Sequence, residues 1–249
     1  MLSFFNKKTD SEIKMAGKNT LPVTLLTPVE IAADEQRDLD RINDEFKQAF
    51  AFLKKYPKSV SIFGSTRFTP ENEHFKDARL LASKIAAKGY AIITGGGPGI
   101  MQAANQGAKE SGGASVGISI ALQKEQETNE YVTDTVTFQY FFTRKTVLSF
   151  AAEAYVFFPG GFGTLDEFFE ILTLVQTNKI PRVPIVLVGR DYWGALDEFI
   201  LVNVEKRHRA IRPEERLLYT ILDDHAEILK LIESAPVQNW WKNFSVDSS

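Results

Sequence analysis

The chain of 249 residues contains no cysteine, which excludes disulfides, thiolate metal sites and a cysteine nucleophile together. It has no excess of positive charge: the formal net charge is −3, so there is no bulk electrostatic footprint for nucleic acid or an anionic membrane. Any anion must therefore be captured by local geometry. No run of about 18 apolar residues is present to span a bilayer, and the opening MLSFFNKKTDSEIKMAGKNT lacks the apolar stretch of a secretory signal. The cytoplasm is the expected location. Histidine is scarce, and His74, His208 and His225 share no ligand spacing, so they read as surface residues and no metal site is expected.

What remains is a composition of 44% apolar and 24% charged residues, ordinary for a globular chain long enough to bury a substantial core. The 19 phenylalanines read as core rather than as a stacking platform. Residues 1–26 are polar without a period and are expected to form a flexible extension. Thr27-Pro28-Val29-Glu30 reads as a helix start with Pro28 at the first helical position. Leu39, Ile42, Phe46, Phe50 and Leu53 follow at helical spacing as one apolar stripe.

From Ser59 onward, short apolar runs alternate with helical segments: SVSIFGS, YAIITGGG, ASVGISIAL, TVTFQY, AYVFFPGG, VPIVLVG and LLYTIL. Nearly continuous hydrophobicity in such strands argues for a parallel sheet covered on both faces, a doubly wound Rossmann-like α/β fold. No composition break, repeat or low-complexity tract interrupts it, so residues 27–249 are expected to form one domain.

Ligands of such sheets lie beyond the carboxyl ends of the strands. Three strand ends here are unusual: FGSTR at 63–67, TGGGPGI at 94–100 and PGGFGTLDE at 159–167. They are expected to converge. GGGPGIM at 95–101 is a candidate phosphate loop. It fails the dinucleotide fingerprint, because Ile100 stands where the third glycine belongs, and no Gly-Lys-Ser/Thr follows any glycine run. Its plain alternative is a tight turn. In FGST, the Ser65 and Thr66 hydroxyls are placed to cap a helix or meet a phosphate, while Arg67 is as easily a solvated arginine. Thr164-Leu165-Asp166-Glu167 is by itself a capping box with Glu167 bonded to backbone, although an ordinary helix start needs no three preceding glycines. Arg144 and Lys145 sit at the front of a helix, where cations oppose the dipole. That position suits an anionic partner or a tolerated surface pair.

Taken together, GGGPGIM, Thr143-Arg144-Lys145 and PGGFGTLDE resemble the Lonely Guy family. These Rossmann-like proteins were long labelled possible lysine decarboxylases, and their characterised members are nucleoside 5′-monophosphate phosphoribohydrolases. The signature Pro-Gly-Gly-x-Gly-Thr-x-x-Glu is complete from Pro159 to Glu167. The resemblance implies Arg144 and Glu167 as the catalytic pair and Lys145 as a substrate contact. It implies that Gly160, Gly161, Phe162, Gly163 and Thr164 hold the 5′-phosphate, with Asp166 beside them. Gly64, Ser65, Gly96, Gly97, Gly99 and Met101 of the other two strand ends complete the expected substrate-binding set. Thr173 matches a further contact on the same helix, and Glu125 an acid after the third strand, in a segment with Gln123 where proline is usual. The resemblance further implies a homodimer or higher homo-oligomer and a nucleoside 5′-monophosphate substrate. Neither cofactor nor nucleic-acid or membrane partner is expected, since nothing identifiable supports the Schiff-base lysine that the decarboxylase label suggests.

The implied chemistry suits the residues. Cleaving an N-glycosidic bond passes through an oxocarbenium-like sugar, which a carboxylate near C1′ stabilises while orienting water. A guanidinium, unable to act as an acid at neutral pH, can stabilise charge on the departing purine, AMP or an N6-modified AMP supplying it. The competing expectation is a nucleotide carrier or sensor that performs no chemistry.

Overall fold

The structure is a computed structural model that describes residues 28–121 and 128–235. The expected extension at 1–26 and the segment carrying Glu125 lie outside the described residues. The chain divides into two units, Met1–Asp40 and Arg41–Ser249. The described part of the first is the opening half of helix α1 (Pro28–Leu53), in which Gln36 Nε2 donates to Asp40 Oδ1 one turn on. The helix begins at Pro28, where the fixed φ of proline suits a first turn and its missing N–H leaves no donor unpaired.

The second unit alternates strand and helix as the apolar pattern dictates: β1 (Ser59–Phe63), α2 (Glu73–Ala87), β2 (Ala91–Thr94), α3 (Ile100–Glu110), β3 (Ser115–Ile120), β4 (Asp134–Phe138), α4 (Phe141–Ser149), β5 (Ala154–Phe157), α5 (Phe162–Gln176), β6 (Ile185–Leu187), α6 (Arg190–Phe199), β7 (Thr220–Ile221) and α7 (His225–Ser234). From Ile200 to Arg207, α6 continues as a π-helix. The run LLYTIL forms a strand at only two residues, because Pro213–Leu218 winds into a 3₁₀ turn first.

All seven strands pair in parallel in the order β4-β3-β2-β1-β5-β6-β7. Strand residues alternate between two cores. Phe63, Ile93, Tyr155, Phe157 and Leu187 pack on one face with α1, α4 and α5, and Val60, Ile62, Ile92, Val156 and Val186 on the other with α2, α3 and α7. Each large side chain so buried contributes roughly 1.5–3 kcal/mol. Within α1 the apolar stripe divides: Ala49, Phe52 and Leu53 are buried, whereas Leu39 is exposed.

This order places the topological switch between β1, whose connection leads to β2, and β5, whose connection leads to β6. The loops leaving β1 and β5 therefore part in opposite directions and open a crevice above the carboxyl edge.

Candidate active site

A cleft of about 850 Å³ occupies that switch point, within the usual size for a small-molecule site. Its walls come from the three strand ends singled out in the sequence. Gly64 and Ser65 follow β1, Met101 lies on α3, and Arg144 on α4. The turn from β5 into α5 supplies Gly160, Gly161, Phe162, Gly163, Thr164, Asp166 and Glu167. Gly96, Gly97, Gly99, Lys145 and Thr173 are not among the lining residues. Thr173 is exposed and donates to the Phe169 carbonyl at 2.7 Å within its own helix.

The glycines serve different ends. Gly95 leaves room for the guanidinium of Arg144: a Cβ there would collide with its terminal nitrogen and stand 2.9 Å from Met101 Sδ. Gly99 has φ 70° and presses against the Ser65–Thr66 backbone, where the Ile100 N–H donates to the Ser65 carbonyl at 2.9 Å. Gly99 thus fastens the β1 loop onto the start of α3. Gly96 and Gly97 are buried, and their carbonyls accept from Asn129 Nδ2 at 3.1 and 3.0 Å. Asn129 is held by the Asn105 amide oxygen, which also accepts from the Thr94 hydroxyl. This buried network sets the loop's shape, and no local sequence pattern marked it.

On the β5 side, α5 begins at Phe162 with Gly161 as N-cap and no side-chain cap. Thr164 therefore lies inside the first turn instead of before it, and the capping box does not form. The helix begins three residues earlier than the Thr164 pattern predicts, with Gly161 and not Thr164 as N-cap, because the glycine turn enters it directly. The first N–H groups, freed from side-chain caps, and the positive end of the helix dipole sit at the cleft. Around Gly161 and Gly163 a Cβ would meet nothing within 4 Å, whereas at Gly160 it would run into Thr164, 2.6 Å from its Cβ. The Gly160 carbonyl is anchored by the Tyr192 hydroxyl at 2.7 Å, a contact from the start of α6.

Glu167, one turn deeper, is 8% exposed, and its Oε2 is buried without a hydrogen-bond partner. An unpaired buried oxygen disfavours the charged form. Burial first, then the Glu170 carboxylate and Asp166, push the Glu167 carboxyl up to about 7, against the pull of Lys145 and Arg144. Arg144 is held by a hydrogen bond of 2.8 Å from Nε to the Ile118 carbonyl of β3. Burial lowers its pKa while Glu167 draws it back up.

Lys145 does not line the cleft and forms two ion pairs, with its Nζ 2.7 Å from Asp166 Oδ2 and 3.0 Å from Glu170 Oε2. Burial pulls its pKa down, but these two carboxylates outweigh burial and raise it. An ammonium so held does not fit Schiff-base chemistry, which needs a neutral amine, and among the described residues no lysine lines the cleft. The residues therefore do not fit pyridoxal phosphate. Glu170, Asn129 and Tyr192 are the neighbours of the site that sequence reasoning missed, and Gly95, read there as part of a phosphate loop, makes room for Arg144. The spacing Asp166, Glu167, Glu170 on one helix was the available signal for the first.

A family model described as "Possible lysine decarboxylase" matches residues 101–232. The chain is 30% identical over 181 residues to "Probable cytokinin riboside 5'-monophosphate phosphoribohydrolase LOG6" of Arabidopsis thaliana, covering 68% of this chain and 89% of the relative. It is 27% identical over 187 residues to "Cytokinin riboside 5'-monophosphate phosphoribohydrolase LOG5" of the same plant, covering 73% and 80%. Among solved structures, the molybdenum cofactor binding protein of Rippkaea orientalis shares the fold, with a TM-score of 0.53 at 24% identity over 71% of this chain and 94% of that one.

Proposed function

The chain belongs to the Lonely Guy family, also described as possible lysine decarboxylases, and on that premise we propose that it hydrolyses the N-glycosidic bond of purine nucleoside 5′-monophosphates. The products are the free base, adenine or an N6-modified adenine, and ribose 5-phosphate. The observation that carries this reading is Glu167. It is a buried carboxyl with an unpartnered oxygen, poised near neutrality, beside Arg144 and one turn below an uncapped glycine-rich helix start.

In this reading the phosphate takes the N–H groups of the α5 start and occupies the room left at Gly161 and Gly163. Anchoring at that end fixes the ribose over Glu167, which replaces a bimolecular encounter with a held geometry. Glu167 as carboxylate stabilises the cationic C1′ and accepts a proton from the attacking water. The water oxygen bonds to C1′ as the C1′–N9 bond breaks and its electron pair leaves with the purine. Arg144 stabilises that developing charge, and the base takes its final proton from solvent. Lys145 orders the Asp166 and Glu170 carboxylates around Glu167.

The deciding experiment incubates the protein with a panel of nucleoside 5′-monophosphates and the matching nucleosides, reading free base by chromatography. Base release from monophosphates alone is expected. Equal release from nucleosides refutes the phosphate assignment, and tight nucleotide binding without product identifies a carrier or sensor instead.

A further inference from the structure

Helix α4, which presents Arg144, is poorly supported by its own sequence. It has nine residues, below the length at which an isolated helix persists in water. Its N-cap, Tyr140, makes no side-chain capping bond to the helix, and its first turn carries no acidic residue. Arg144 and Lys145 follow at its fourth and fifth positions, where cations oppose the dipole.

The missing carboxylate comes from α1. Glu45 Oε1 accepts from the Gln139 N–H at 2.5 Å, and Oε2 lies 2.5 Å from the hydroxyl of Thr143. Thr143 is fully buried and immediately precedes Arg144. Glu45 thus brings from another helix the negative charge that complements the α4 dipole, and it ties down the chain on either side of the N-cap, at Gln139 and Thr143. The end of α1 that holds it is itself anchored. Ala49, Phe52 and Leu53 are buried in the core, and Lys55 and the Tyr56 hydroxyl reach Asp134 of β4 at 3.0 and 2.7 Å. Glu45 also lies outside residues 101–232, which the family model matches.

We propose that Glu45 is a positioning residue that sets Arg144 through the start of α4, making α1 part of the working site. The inference rests on the proposed hydrolysis for its kinetic consequence but not for its structural one.

The test compares the full chain with Glu45→Ala and Glu45→Gln. Hydrogen exchange in peptides covering residues 139–149 is expected to quicken at least tenfold in Glu45→Ala, with the strands β1 and β5 unchanged. Glu45→Gln, whose amide oxygen still accepts from Gln139, restores most of that protection. The same ranking is expected in kcat for a nucleoside monophosphate, about a tenfold fall in Glu45→Ala with a smaller change in KM. Unchanged exchange at 139–149 overturns the proposal, as does exchange that quickens equally throughout the chain. If the wild-type protein releases no base from any monophosphate, the hydrolytic reading fails, and the exchange comparison still decides Glu45.

Discussion

The guanidinium of Arg144 occupies the space that a side chain at residue 95 would need, so Gly95 and Arg144 form one unit although 49 positions separate them. The backbone at Gly95 needs no positive φ, and its glycine requirement comes from that close approach alone.

Gly95→Ala is therefore expected to fold normally and to displace Arg144. Base release should fall on the order of a hundredfold, as when one preorganised charge-stabilising group is lost, with Tm within a few degrees of the wild type. Steady-state kinetics beside a thermal melt checks both halves. A variant as active as the wild type would remove Arg144 from the reaction.

Glu167→Gln should abolish turnover and leave nucleotide binding largely intact. It should also stabilise the protein. Because the folded-state pKa of Glu167 is raised to about 7 from an ordinary 4.5, its contribution to stability is fully present below pH 4.5 and is lost as pH rises through 7. Above that point the native state carries a buried charge that Arg144 and Lys145 compensate only in part, at a cost of the order of 3 kcal/mol. The Gln variant should consequently melt higher than the wild type at pH 8 and equally at pH 4.5. The activity of the wild type should rise through pH 7 to a plateau, since the carboxylate is the working form. Melts at the two pH values and a pH–rate profile decide it, and a falling alkaline limb would assign Glu167 as the acid instead.

The glycines of the β5–α5 turn separate structural from binding needs. Gly160→Ala drives a Cβ into Thr164 and should lower Tm. Gly161→Ala and Gly163→Ala point into open space. At Gly163, inside the first turn of α5, alanine should raise stability by about 0.5 kcal/mol. Both should weaken nucleotide affinity about tenfold by filling the phosphate's place. Calorimetric titration with AMP beside thermal melts provides the check, and tighter or unchanged binding in both would move the phosphate elsewhere.

Most of this arrangement was legible along the chain because parallel strands advertise themselves as short, continuous apolar runs, and all seven such runs carry strand. The strand ends were equally legible, since PGGFGTLDE and GGGPGIM concentrate glycine where a sheet opens. What escaped was long-range. Glu45 meets Thr143 across 98 positions and Tyr192 meets Gly160 across 32, and neither residue carries a local mark of its partner. The capping box Thr164–Glu167 was a true local pattern overridden by tertiary structure, because α5 starts at Phe162 and leaves Glu167 a full turn inside. Lys145, which the resemblance places against substrate, also pairs with Asp166 and Glu170, a pairing that depends on how α4 packs beside α5.

That pairing makes the pH profile steerable in both directions. Glu170 pushes the Glu167 carboxyl up and Lys145 holds it down. Removing the carboxylate charge in Glu170→Gln relieves a like-charge repulsion, so the midpoint of the acidic limb should move to lower pH. Lys145→Met removes the attraction and leaves Asp166 and Glu170 without their cation, so the same midpoint should move to higher pH. The two variants differ in sign at the same reporter, which a general loss of stability cannot mimic. Profiles of kcat/KM against pH for the wild type and both variants test this, comparing midpoints and not heights. Midpoints that stay fixed would show that the limb belongs to a group other than Glu167, and the assignment of that carboxylate as the base would fall with it.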